Sequence, residues 1–142
     1  MSKRKQLGIG YPRLEKAKES LLNKTIDMVR EFARVTQQEP DPELYSKLIH
    51  EEYNEFYDTT DPYYVDKENI YWPEHLKELA DLVYVCYGYA NAMGYDLDEA
   101  IRRVHENNIG RCVQPDGTIK RREDGKILKN KDYPKVDLSD LL

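Results

Sequence analysis

Apolar residues recur at helical spacing in four stretches of this chain. Over 23–37, Ile26, Val29, Phe32 or Ala33, and Thr36 return every three or four positions, and Asn23 is a suitable N-cap. Pro40 and Pro42 stop that helix and start the next. From about 41 to 57, Leu44, Tyr45, Leu48, Ile49, Tyr53 and Phe56 cover one broad side at ~100° per residue. The third stretch, 74–93, sets Leu76, Leu79, Val83, Cys86, Ala90 and Met93 in a 3-4-3-4-3 seam. It is apolar around much of its girth, which predicts a central helix. Gly94 closes it as a C-terminal cap. Asp96, with Glu99 three residues on, opens a fourth helix over 97–107 as a capping box, with Ile101 and Val104 turned inward.

The intervening segments are of a different kind. Residues 58–73 form a connector punctuated by Pro62 and Pro73 and loaded with Tyr63, Tyr64, Tyr71 and Trp72. These aromatics suit packing of the connector onto the helices, or stacking on a nucleobase. Residues 1–22 read as an arm opened by Lys3, Arg4 and Lys5. After Asn108 the pattern predicts a turn at Pro115-Asp116-Gly117. A small hairpin follows, with 118–122 and 126–128 flanking Glu123-Asp124-Gly125. The fold class expected is therefore all-α: a four-helix-type bundle over 23–107, an arm over 1–22, and a basic C-terminal arm over 108–142.

Composition narrows this reading. At 142 residues with 39% hydrophobic content, the chain suits one domain with a real core. Tyr supplies 12 of its aromatics, a residue that tolerates half-buried positions at a subunit interface or ligand groove. The net charge of −5 argues against nucleic-acid binding. No apolar run approaches the ~20 residues a membrane span needs, and the N-terminus lacks the apolar core of a signal peptide. Cys86 in mid-helix and Cys112 in a loop make no metal-type pair, so a reduced, cytoplasmic protein is expected.

The chemistry concentrates in two acidic motifs, Glu52-x-x-Glu55 and Glu78-x-x-Asp81, separated by 22 residues. Residues three apart share a helix face, so each motif aims two carboxylates at one point. Glu52 falls near the middle of the apolar side of its helix, Glu55 inside its edge, and Glu51 just beyond it. Glu78 and Asp81 border the seam of the third helix. Packed side by side, these helices bring four carboxylates together with no cation among them. Such a cluster repels itself unless a hard divalent ion, Mg2+ or Mn2+, binds there. Arg111, Lys120, Arg121, Arg122, Lys126, Lys129, Lys131 and Lys135 make the C-terminal stretch basic, and Lys or Arg beside a metal site suits a polyphosphate.

Two rival readings differ in class. A di-iron carboxylate bundle wants Glu-x-x-His on two helices, and no Glu lies three residues before His50, His75 or His105. A non-catalytic helical interaction module, with its acids merely solvated, predicts no stabilisation by divalent ions.

Taken with the sequence around them, these motifs resemble the all-α nucleotide pyrophosphohydrolases, which include MazG-type enzymes, dimeric dUTPases and phosphoribosyl-ATP pyrophosphohydrolase. The likeness is closest to the small MazG-like proteins of bacteria and their phages. His75-Leu76-Lys77-Glu78-Leu79-Ala80-Asp81-Leu82-Val83-Tyr84 resembles their third helix. Val104-His105-Glu106-Asn107-Asn108-Ile109-Gly110-Arg111 is similar to their V-H-x-S-N-M-S-K segment, with Asn107 in place of Ser and Gly110-Arg111 in place of Ser-Lys. Arg122-Glu123-Asp124-Gly125-Lys126-Ile127-Leu128-Lys129 resembles their R-x-D-G-K-x-x-K tail, followed by Tyr133-Pro134. The likeness spans roughly 26–137.

The resemblance implies Mg2+ ligands at Glu52, Glu55, Glu78 and Asp81, with Mn2+ a possible substitute. It also implies nucleotide or phosphate contacts from Asn108, Arg111, Lys126 and Lys129, and assembly as a homodimer or homotetramer. The implied reaction is hydrolysis of a nucleoside triphosphate to monophosphate and pyrophosphate, with dUTP or phosphoribosyl-ATP as alternative substrates. One carboxylate can serve as general base rather than ligand, and Glu51 and Glu52 are the candidates.

Overall fold

The computed structural model describes residues 24–60 and 72–142. The N-terminal arm, Asn23, Pro62 and the aromatics Tyr63, Tyr64 and Tyr71 lie outside the described residues. The protein is mostly helical. Four helices are described: α1 (Thr25–Val35), α2 (Pro42–Asp58), α3 (Trp72–Met93) and α4 (Leu97–Cys112). The described strands are β1 (Lys120–Arg121) and β2 (Ile127–Leu128), and a 3-10 turn covers Ser139–Leu141. The chain divides into two compact units, Met1–Met93 and Gly94–Leu142.

In the first unit, α3 packs against both α1 and α2. Lys24 stands at the N-cap of α1 without a side-chain bond, so this helix starts one residue later than an N-cap at Asn23 would have set it. Gln37 ends it with φ 53, a left-handed conformation for a residue with a side chain. The amides of Gln37 and Gln38 return to the carbonyls of Arg34 and Ala33, a Schellman closure. Gln38 is thereby placed to accept a 2.7 Å hydrogen bond from the Tyr45 hydroxyl at the start of α2. Asp41 caps α2 through the Leu44 amide at 3.0 Å, with Pro42 in its first turn.

Helices α2 and α3 run antiparallel. Tyr45 meets Gly88 near one end of the pair, and Thr59 meets His75 at the other. The core between the helices of this unit holds Ile26, Val29, Tyr45, Val85, Tyr87 and Ala90. Glu78 is buried with them, 7% exposed.

The seam expected on α3 is largely not the inward face. Leu76 is 65% exposed, and Leu79, Val83 and Met93 are exposed as well, while Ala90 alone of that set is buried. The reason is the Tyr45 ring, which lies against the backbone of Gly88. That contact turns the Gly88 side of α3 toward α2. At ~100° per residue, Val85, Asp81 and Glu78 then follow on that side, while Leu79 and Val83 fall on the far one. Glu78 consequently sits within the packed face rather than at its border.

The second unit begins where Gly94 turns the chain at φ 73. The Asp96 carboxylate accepts from the Glu99 amide at 3.0 Å. Glu99 does not complete a reciprocal capping box in this arrangement. Its oxygens bind Arg102 and Arg103 instead. Helix α4 runs to Cys112, five residues beyond its expected end at 107, so Cys112 is helical rather than in a loop. The extension passes through Gly110, against which Tyr133 packs; a Cβ there would lie 2.3 Å from the Tyr133 hydroxyl. Asn107 donates to the Pro134 carbonyl at 2.8 Å, and the Asn130 amide donates to the Arg111 carbonyl at 2.7 Å. Ile101 and Val104, expected inward, are exposed, because no described segment of the chain covers them. The hairpin forms as expected, antiparallel with Lys120 opposite Leu128 and Arg121 opposite Ile127. Gly125 supplies the positive φ of its turn, and Gly117 that of the separate turn before β1.

Candidate active site

The antiparallel register of α2 and α3 gathers the two acidic motifs. One carboxylate oxygen each from Glu52, Glu55 and Glu78 lies within 4.8 Å of the others. Glu78 is buried, Glu52 half-buried and Glu55 exposed. Buried oxygens of both Glu52 and Glu78 (Oε2 in each) have no hydrogen-bond partner. An unsatisfied carboxylate oxygen away from water is costly. Three such groups with two orphaned oxygens fit a hard cation with oxygen ligands.

The electrostatics agree. Burial, ahead of repulsion from Glu55, Asp81 and Glu78, raises the pKa of Glu52. The contact with the Glu78 carboxyl, ahead of burial and repulsion, raises that of Glu55. Asp81 lies outside the tight trio. It is half-buried and pairs with Lys77, whose Nζ is 2.8 Å from Asp81 Oδ2 and 3.2 Å from Glu78 Oε1. Hydrogen bonding to Asp81 first, then Glu78, pushes the Lys77 pKa up. The expectation of a cluster with no cation is thus corrected. Lys77 was legible as an i,i+4 partner of Asp81 on one helix. Glu51, the other candidate base, is exposed and outside the trio.

One turn from this cluster, His75 bonds Thr59 Oγ1 through Nδ1 at 2.9 Å. Its ring also contacts Phe56 and Trp72, with centroids 5.2 and 5.6 Å away.

In the second unit the basic residues also converge. Arg111, Lys126 and Lys129 line one pocket of about 740 Å³ together with Lys120, Arg122 and Lys131. Asp132 is the acid on its wall. Lys129 Nζ donates to Asn108 Oδ1 at 2.8 Å, so two of the expected contact residues touch each other. Nε of Arg111 is buried without a partner. Gln114, a residue without a motif to mark it, holds the hairpin by donating to the Leu128 carbonyl at 3.1 Å.

An all-α protein with clustered carboxylates on an antiparallel helix pair belongs to the class of helical proteins that can hold a metal ion. Residues 16–108, well over half of the chain, match the sequence model of the phosphoribosyl-ATP pyrophosphohydrolase family, and the protein belongs to that family. The family falls within the MazG-like all-α nucleoside triphosphate pyrophosphohydrolases, so the protein is a hydrolase of phosphoric anhydrides acting on a nucleotide. No curated protein gives a significant match to the chain. The matched segment contains both acidic motifs and ends at Asn108, before the basic hairpin.

Proposed function

We propose that the protein hydrolyses nucleoside or deoxynucleoside triphosphates to the monophosphate and pyrophosphate, with Mg2+ as the metal. The observation that carries this reading is the Glu52–Glu55–Glu78 trio with its two orphaned buried oxygens. In it, Glu55, Glu78 and Asp81 hold the metal, with Glu52 as ligand or base. Bound there, Mg2+ would supply positive charge against the phosphate and lower the pKa of a water. The water oxygen attacks the α-phosphorus, and the bond from that phosphorus to the bridging oxygen breaks. Pyrophosphate leaves with the electron pair, and Glu52 takes the water's proton. Arg111, Lys126 and Lys129 grip the phosphate oxygens, and Asn108 orients Lys129 or touches the nucleotide itself. The exposed apolar residues of α1, α3 and α4 suit a homodimer or homotetramer.

Phosphoribosyl-ATP is the second reading, favoured by the family match itself. It carries the same α,β-anhydride and calls for the same chemistry. The basic hairpin, beyond the matched segment, favours the MazG-like branch and ordinary triphosphates.

Product analysis decides between them. The protein is incubated with NTPs, dNTPs and phosphoribosyl-ATP, with Mg2+ and with EDTA. Monophosphate plus pyrophosphate, lost in EDTA, is the expected result, and the fastest substrate names the branch. Turnover of phosphoribosyl-ATP alone would replace the first reading by the second. Diphosphate plus orthophosphate, or no turnover with no stabilisation by Mg2+, would overturn both.

A further inference from the structure

Lys77 occupies an unusual position for a surface lysine. It precedes Glu78, the buried carboxylate, so at ~100° around the helix its own side chain starts outside the packed face. It is 62% exposed, yet its flexible stem folds back to place Nζ between Glu78 Oε1 and Asp81 Oδ2. Among the described residues, Lys77 is the cation in ion-pair contact with this carboxylate group. An ammonium is a compact charge with three donors. It reaches two of the carboxylates and leaves Glu52 Oε2 and Glu78 Oε2 unpartnered. The site is therefore only partly neutralised by its own chain.

We propose that Lys77 is the resident counter-ion of the carboxylate site, and that a divalent cation takes Glu78 and Asp81 by displacing its ammonium. This rests on the reading that the cluster binds a metal. A divalent ion brings twice the charge and accepts more oxygen ligands than an ammonium has donors. The exposed stem lets Lys77 leave without disturbing the packing of α2 on α3. The lysine weakens metal binding by competition, and in exchange keeps the metal-free helix pair from repelling itself apart. Once displaced, its ammonium is free in solvent beside the bound ion.

Two measurements on the full chain test this. In calorimetric titration of metal-free protein with Mn2+, Lys77→Met binds about five-fold tighter than wild type, the size of one partly exposed ion pair. Lys77→Arg and Lys47→Met, the latter removing an equal charge from a pair with Glu43, bind as wild type. Second, acetylation of Lys77 followed by mass spectrometry speeds up several-fold when Mg2+ is added, while that of Lys47 does not change. Wild-type affinity in Lys77→Met, or an acetylation rate indifferent to Mg2+, would overturn the exchange while leaving the metal reading intact. Lys77→Gln carries the same comparison if Lys77→Met does not fold. Absence of Mn2+ binding by wild type would remove the metal reading and this inference with it.

Discussion

Tyr45 lies with its ring against the backbone of Gly88, so close that a Cβ at Gly88 would stand 2.0 Å from Tyr45 Cε1. This contact fixes which side of α3 faces α2. Alanine at position 88 would gain about 1 kcal/mol of helix propensity. It would also force apart a buried ring and a helix, at a cost of about 1–3 kcal/mol. An overlap this severe belongs at the upper end of that range, so net of the propensity Gly88→Ala is expected to lose about 2 kcal/mol in urea denaturation. Stabilisation by Mg2+ should fall with it, since the carboxylates ride on the same register. An alanine variant as stable as wild type would mean that the contact does not set the register.

Glu52→Gln keeps the shape of a half-buried side chain and removes its charge. The variant is expected to lose at least a hundredfold in kcat while its far-UV helical signal stays unchanged. Metal-free, it should melt no lower than wild type, because burial and repulsion already disfavour the Glu52 charge. Retained turnover would remove Glu52 from the site.

Lys126 and Lys129 share a pocket wall with Arg111. Alanine at either position is expected to raise KM about five-fold, the size of one partly exposed charge-assisted contact. Calorimetric Mn2+ affinity should not change. A fall in kcat with constant KM would place these lysines in the chemical step rather than in binding.

Acid should loosen the second unit first through Glu99. Its hydrogen bonds from Arg102 and then Arg103 hold its pKa down at about 2. Arg103 goes on to grip Asp140, whose pKa that contact also lowers. A carboxyl with a lowered native pKa binds fewer protons folded than unfolded. Its contribution is therefore present above the unfolded value near 4.5 and lost as pH falls toward about 2. Melting temperatures of wild type and Glu99→Gln should differ at neutral pH and converge across that window. A constant gap down to pH 2 would rule out Glu99 as the titrating group.

On α1, Met28, Phe32 and Val35 stay exposed and line a shallow apolar pocket with Tyr84. If copies of the chain associate through this face, Phe32→Glu shifts sedimentation toward the monomer. An unchanged assembly would assign the contact to another surface.

Much of this architecture is legible in the sequence, and the reasons are local. Gly94 and Asp96 punctuate α3 and α4 as their chemistry requires, and Asp124-Gly125 turns the hairpin. Glu52 and Glu55 share one side of α2 because three-residue spacing guarantees it on any helix, whereas their meeting with Glu78 depends on the register of α3. The orientation of α3 was not legible. Counting apolar surface favours Leu76, Leu79 and Val83, whereas packing selected the residue with no side chain, Gly88, as the place for a ring. The length of α4 was hidden for a related reason. Glycine is a poor helix former, yet the bareness of Gly110 is what admits Tyr133 from a distant part of the chain. Lys77 belongs to the cluster although it is basic, because its flexible stem carries Nζ to Glu78 and Asp81.

The antiparallel pair is pinned on both sides of the carboxylates, by Tyr45 on Gly88 and by Thr59 on His75. A slip of one residue would advance α3 by only ~1.5 Å, but rotate it by ~100°. Glu78 would leave the interface, and Lys77 or Leu79 would enter it. No intermediate slip gives a weaker version of the same trio. The site is accordingly a discrete property of the chain, present in one alignment and lost in its neighbours, so damage to either pin should give mixtures of competent and inert molecules rather than a uniformly impaired population.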